Sequence, residues 1–349
     1  MTRAFALWGG GSLGAVQVGM LRALTAYGVR ADMVVGASVG ALNGAYYAAR
    51  PDAEGVEELA RLWLTVSSHD VYPLSRQEAL RSLADNLPFH PLRGALRAIG
   101  TLNYTFPFNP VSVIGTALGT RNHLFDNNAL RRFLERFLSF DRLEETRLPL
   151  MVLTTDVLTG RAAVLSHGPV LPALLASTAI PALYPNVRIG DRILMDGGVA
   201  DQTVLDLAVN AGADEVYLFA PGFSCHLPAP PSTAIAMALH GYNLLSEQRI
   251  SASIRHNRRR TTMHVLPPLC PVEVLPIDFR QTADLIERAT QATLHWLHSH
   301  EPKPGVARYL SDPVADEEHP LHVTPAAPVP SIGERTRRRA IRSTTTSTD

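Results

Sequence analysis

Two glycine-rich turns near the start of the chain constrain its fold more than any other feature. The stretches "LWGGGSLGAVQVGM" and "VVGASVGALNGAYYAA" each set glycines between an apolar run and a helical pattern rich in small residues. Strand, turn and helix, repeated at this short spacing, are the rhythm of a parallel sheet with helices on its faces. Arg3 to Trp8 reads as a first strand, and Ala15 to Tyr27 as a helix that Gly28 ends. Asp32 to Val35 reads as a second strand, followed by a helix through Ala49 that Pro51 stops.

The same alternation resumes further on. Helices are predicted at Asn127 to Leu138, up to Pro181, at Leu205 to Ala211, at Ser232 to Arg260 and at Thr282 to His298. Strands are predicted at Leu150 to Thr155, Val187 to Met195, Glu215 to Phe219 and Thr262 to Leu266. Residues 67–120 are punctuated by Pro and Gly and read as an insertion, either a lid over the site or a buried packing segment. Past Glu301 the composition turns to Pro, Ser, Thr and Arg, which predicts a disordered tail over 301–349. The expected organisation is a catalytic domain over 1–225, a helical extension over 226–300 packed upon it, and the tail.

Composition removes several functional classes. Lys+Arg and Asp+Glu are equal at 32 each, so no whole-chain field favours nucleic acid. Lys303 is the sole lysine, which excludes Schiff-base chemistry or a P-loop lysine from the body of the protein. Cys225 and Cys270 stand apart from any Cys/His cluster, so neither zinc nor a redox pair is expected and both read as buried and inert. No metal or cofactor is called for. No run of about 18 apolar residues is present to span a bilayer, and the early apolar run is broken by glycines. A cytoplasmic location with peripheral contact at a membrane is the expectation.

The chemistry is carried by three short stretches. "GASVG" at Gly36 to Gly40 matches G-x-S-x-G between a β-branched strand and a small-residue helix. A sharp strand-to-helix turn holds the serine in a strained conformation, and Gly36 and Gly40 leave room for it, so Ser38 is the candidate nucleophile. "GGGSLG" supplies backbone N–H groups that glycine leaves unobstructed, with Gly9, Gly10 and Gly11 as candidate donors to an oxyanion. Gly9, Gly11 and Gly14 also satisfy the dinucleotide pattern G-x-G-x-x-G, with Asp32 near the place of a ribose-binding acid. That acid should end the second strand, whereas Asp32 begins it. "MDGG" places Asp196 before Gly197 and Gly198 at a strand end, a rigid acid able to serve as general base or simply to bond its own turn.

Read together, "GGGSLG", "GASVG" and "DGG" in this order resemble the patatin-like phospholipase family, as do "LFDNNALRRFLERF", "TDVLTGRAAVLSHG" and "ASTAIPALYP". The resemblance runs from about Arg3 to Ala220. It implies a three-layer α/β/α domain with a mostly parallel central sheet, and a Ser–Asp dyad of Ser38 and Asp196. It also implies an oxyanion hole from Gly9, Gly10 and Gly11, with Gly14, Gly36, Gly40, Gly197 and Gly198 supporting the motifs. The implied activity is cleavage of fatty-acyl esters of membrane lipids, of phospholipase A or lysophospholipase type, at a peripheral membrane surface. Leu13 stands where many members carry Arg or Lys, and Gln202 and Val204 replace the usual asparagine and proline after the aspartate. Two alternatives stay open: a non-catalytic lipid- or nucleotide-binding module on the same fold, and a carboxylesterase whose triad is completed by His240, His256 or His264. The basic runs at Arg255 to Arg260 and Arg335 to Arg342 read as solvated charge or as contacts to anionic headgroups.

Overall fold

The computed structural model describes residues 1–66, 122–123, 125–220, 230, 234–269 and 279–299. All of them fall within one compact unit, Met1–Leu310; the second unit, Ser311–Asp349, lies outside the described residues. The predicted insertion at 67–120, the tail at 301–349, the Arg335 to Arg342 run, Cys225 and Cys270 likewise lie outside the described residues.

The strands are β1 (Arg3–Leu7), β2 (Met33–Ala37), β3 (Leu150–Asp156), β4 (Ala162–Leu165), β5 (Val187–Ile189), β6 (Arg192–Asp196), β7 (Glu215–Phe219) and β8 (Thr262–Val265). The helices are α1 (Gly14–Ala26), α2 (Val39–Ala49), α3 (Ala53–Thr65), α4 (Asn128–Phe137), α5 (Val170–Ser177), α6 (Val204–Asn210), α7 (Ala234–Asn257) and α8 (Thr282–Ser299). The strands form one eight-stranded sheet in the order β5-β6-β3-β2-β1-β7-β8, with β4 also paired to β3. The run β3-β2-β1-β7-β8 is parallel throughout, while β4 and the β5–β6 hairpin join antiparallel. Helices cover both faces of this mostly parallel sheet in a three-layer α/β architecture.

Alternation along the central strands sorts their side chains. Phe5 on β1 stacks on Tyr47 of α2 with ring centroids 5.3 Å apart, and touches Phe219 of β7 at 5.0 Å. Leu7, Val34 and Phe219 join this cluster beneath α1, α2, α3 and α8. The intervening Ala4, Ala6 and Val35 are fully buried yet stand outside it, toward the opposite face. Strands buried on both sides read as continuous apolar runs, which is why "RAFAL" and "MVVGA" lack polar alternation. Helices α1 and α8 approach closely at Gly19, where a side chain would collide with the backbone of Ile286.

Two departures from the sequence reading have local causes. No element is predicted after Pro51, but α3 forms there, capped by Asp52, whose carboxylate accepts from the Gly55 amide at 2.8 Å. Its buried residues Val56, Leu59, Ala60 and Trp63 follow the helical period. The single strand expected over Val187 to Met195 is instead a hairpin, because Gly190 adopts φ 58° and turns the chain so that Ile189 pairs with Arg192.

Candidate active site

Strand β3 explains how residues far apart in sequence come together. Along one edge it pairs first with β2, ending at Ala37 opposite Leu153, and then with β6, whose Asp196 lies opposite Thr154. Since β4 occupies the other edge over Val152–Thr155, β2 and β6 must meet end to end on the same side. Adjacent positions on β3 thus bring the Ser38 turn, which follows Ala37, against Asp196.

Ser38 has φ 53° and ψ −129°, one of two non-glycine residues with positive φ among the described residues. Such a conformation costs of order 1–3 kcal/mol and persists only where its surroundings enforce it. The enforcement is visible. A Cβ at Gly36 or Gly40 would collide with the turn's own backbone or with that of Leu7, and one at Gly9 would come within 3.1 Å of the Ser38 Cβ. The Ser38 amide donates to Ser177 Oγ at 2.9 Å, and the Ser177 hydroxyl donates to the Leu153 carbonyl at 2.7 Å. Two residues on, the Ala179 carbonyl accepts the Asp196 amide at 2.9 Å. The "ASTAIP" segment therefore fastens both halves of the site.

The glycine loop runs beside this turn. Gly11 has φ 58°, and among the described residues the amides of Gly9 and Gly10 donate to no protein acceptor. Gly14 lies against Val39 and Trp63, where any side chain would clash. A buried polar chain holds the loop's two ends: Gln17 Nε2 donates to the Trp8 carbonyl at 2.5 Å, and Asn43 Nδ2 donates to the Gly14 carbonyl at 2.9 Å. Asn43 Nδ2 also bonds Gln17 Oε1 at 3.0 Å, while Trp63 Nε1 donates to Asn43 Oδ1 at 2.8 Å.

Asp196 is buried, and Gly197 packs against the β3 backbone at Leu153. Its Oδ1 accepts from the Gly198 amide at 2.7 Å and from the Tyr242 hydroxyl at 3.3 Å. Burial pushes its carboxyl up to about 6, against the opposing pull of the Gly198 amide, the Ser38 hydroxyl and Tyr242. Ser38 is close enough to exert that pull, yet Oδ2 has no hydrogen bond of regular geometry. The two side chains are neighbours whose alignment falls short of a regular hydrogen bond.

Beside Ser38 and Gly11 opens an apolar cleft of about 600 Å³, counting its solvent-open mouth. Trp63, Leu130, Phe133, Phe137, Tyr184 and Phe279 supply its walls.

The histidines proposed for a triad stand elsewhere. His264 bonds Glu215 Oε1 at 2.8 Å and stacks on Tyr217 at 4.4 Å. Through the register it is level with Val34 and three strands from β2, about 14 Å across the sheet and about 13 Å short of Ser38 along it. His256 is exposed, and neither it nor His240 bonds Ser38 or Asp196 among the described residues. Asp201 faces away, accepting the Ala162 amide at 2.7 Å. Among the described residues no group of three or more potential metal ligands is present.

Sequence reasoning missed Ser177, the Gln17–Asn43–Trp63 chain, Tyr242 and Arg249. Arg249 Nη1 donates to the Gly198 carbonyl at 2.8 Å. The signal for α7 was its spacing, since Tyr242, Ser246, Arg249, Ser253 and Asn257 recur at three or four residues along one face.

Comparison with known proteins places these features in a family. The model described as patatin-like phospholipase matches residues 5–209, well over half of the chain. Patatin-like phospholipase domain-containing protein 6 of Homo sapiens is 25% identical over 217 residues, covering 62% of this chain and 13% of that protein. An NTE family protein of Mycobacterium tuberculosis is 25% identical over 211 residues, covering 60% of this chain and 46% of that protein. Among solved structures, VipD from Legionella pneumophila aligns with TM-score 0.39 and 15% identity over 86% of this chain and 67% of that one. The chain therefore spans less than half the length of these two curated relatives, and its match to the family model covers all three glycine-bearing motifs. This chain belongs to the patatin-like phospholipase family.

Proposed function

We propose that the chain hydrolyses fatty-acyl esters of membrane lipids, as a phospholipase A or lysophospholipase, through a Ser38–Asp196 dyad. One observation carries this reading: a strained serine and a buried carboxylate with one unpartnered oxygen meet at adjacent positions of β3. A carboxyl held up to about 6 is ionised at neutral pH while being more basic than a solvated aspartate, which suits a general base.

In this mechanism Asp196 Oδ2 accepts the proton as Ser38 Oγ attacks the ester carbonyl. The tetrahedral oxygen takes the negative charge and faces the amides of Gly9, Gly10 and Gly11. The Ser38 amide is already committed to Ser177, so the glycine loop is the source of free donors beside the turn. Collapse of the intermediate breaks the acyl–oxygen bond, and the proton on Asp196 passes to the departing alcohol. Water then attacks the acyl-enzyme, again giving its proton to Asp196, and the fatty acid leaves with Ser38 restored.

The aromatic cleft supports a hydrocarbon chain as the part of the substrate nearest Ser38. A lipid surface as the meeting place fits a chain in which no described helix is long and apolar enough to cross a membrane. The test is fatty-acid release from phosphatidylcholine and lysophosphatidylcholine vesicles by the wild type, Ser38→Ala and Asp196→Asn. The reading expects release that both substitutions abolish. Equal release by all three proteins, or none from the wild type on any ester, would overturn it.

A further inference from the structure

We propose that Tyr242 is the positioning residue of this site, pinning Asp196 Oδ1 so that Oδ2 is the oxygen left to receive the serine proton. The inference rests on the dyad reading above. A carboxylate on a strand end is free to rotate about its Cβ–Cγ bond and to present either oxygen. Here Oδ1 is held from two directions, by the Gly198 amide at 2.7 Å and by the Tyr242 hydroxyl at 3.3 Å, while Oδ2 is buried without a partner.

The second glycine of "DGG" gains a reason from the same contact. A Cβ at Gly198 would collide with the Tyr242 hydroxyl, so the turn must be bare for the tyrosine to reach the carboxylate. Two helical turns further along α7, Arg249 Nη1 grips the Gly198 carbonyl at 2.8 Å. One helix thus holds the aspartate and its turn together. That helix is in turn anchored to α6: Ser253 donates to Asp206 Oδ1 at 2.7 Å and Asn257 Nδ2 to the same oxygen at 2.6 Å, while Thr203 bonds Ser253 at 2.8 Å.

The groups that act on the carboxylate are the Gly198 amide, Ser38 and Tyr242, with Arg249 on the neighbouring carbonyl. Burial and the nearby Asp196 charge push the Tyr242 phenol well above its ordinary range, so it stays protonated as the donor. Tyr242 touches no reacting atom; its effect passes through Asp196.

The test is Tyr242→Phe in the full-length chain, read in two ways. In protein carrying 13C-labelled aspartate, with the Asp196 signal assigned by Asp196→Asn, loss of the phenol should raise the Asp196 midpoint by about half to one pH unit. The rate of Ser38 labelling by a fluorophosphonate should fall about three- to tenfold at pH 5 and stay within threefold of wild type at pH 9. Gly198→Ala, which displaces the hydroxyl without removing it, should shift the midpoint in the same direction. An unchanged Asp196 midpoint in both variants, or labelling at the wild-type rate at every pH, would overturn the inference. Failure of the dyad reading looks different: the wild-type serine would go unlabelled at all pH values even though the Asp196 midpoint still answers to Tyr242→Phe.

Discussion

Replacing Asp196 by asparagine should change how the protein's stability depends on pH, and the size of the change follows from its burial. In the folded chain the carboxyl is pushed from 3.8 to about 6, chiefly by desolvation. Holding it ionised there costs about 3 kcal/mol at 1.36 kcal/mol per pH unit. The sign follows from linkage. Below about pH 3 both folded and unfolded forms carry the proton and no cost arises. As pH rises toward 6 the unfolded chain ionises first, and above 6 the folded chain bears the whole penalty. The amide that replaces the carboxyl never ionises, so the stability of wild type minus that of Asp196→Asn should fall by about 3 kcal/mol between about pH 3 and about pH 7.5. Taking the difference cancels Glu215 and Asp206, whose carboxyls are held below their ordinary values and act in the opposite sense. Urea unfolding of both proteins at a series of pH values measures it. Parallel stability profiles would show that Asp196 ionises freely in the fold and would refute the reasoning.

Other consequences are as direct. Ser177→Ala removes the acceptor of the Ser38 amide and should cost about 1–3 kcal/mol in urea unfolding, with slower labelling of Ser38; unchanged values would show that the turn holds itself. His240→Ala, His256→Ala and His264→Ala should each keep ester turnover within about threefold of wild type, whereas a loss of about a thousandfold in any one would restore a triad. Phe133→Ala together with Phe137→Ala opens the cleft wall and should raise KM for long-chain esters about tenfold while sparing acetyl esters. Equal effects on both esters would remove the acyl chain from that cleft.

Much of the parallel sheet was legible because its strands are continuous apolar runs closed by glycine turns, and Glu215–Phe219 coincides with its predicted bounds. The serine turn was legible for the same reason, since only tiny residues fit around φ 53° and the pattern is short and local. The meeting of Ser38 with the Asp196 turn is a matter of pairing register on β3, which no local pattern encodes; the family resemblance supplied that expectation. Ser177 and Tyr242 escaped because a serine within "LLASTAIP" and a tyrosine within a long helix read as packing. Their partners are a backbone amide and a carboxylate that only the tertiary fold delivers. The β5–β6 hairpin is hard to see because Gly190–Asp191 lies between two short β-prone runs that together resemble one extended stretch, and only the positive φ at Gly190 divides them.

The central claim is that Ser38 is a nucleophile activated by Asp196. Its most direct measurement is incubation of the purified full-length chain with a fluorophosphonate probe, followed by peptide mass spectrometry to locate the label, with Asp196→Asn alongside. A single adduct on Ser38 is expected, which Asp196→Asn reduces at least a hundredfold. A label on another residue, equal labelling of Ser38 in both proteins, or no label on the folded wild type with and without lipid vesicles would contradict it.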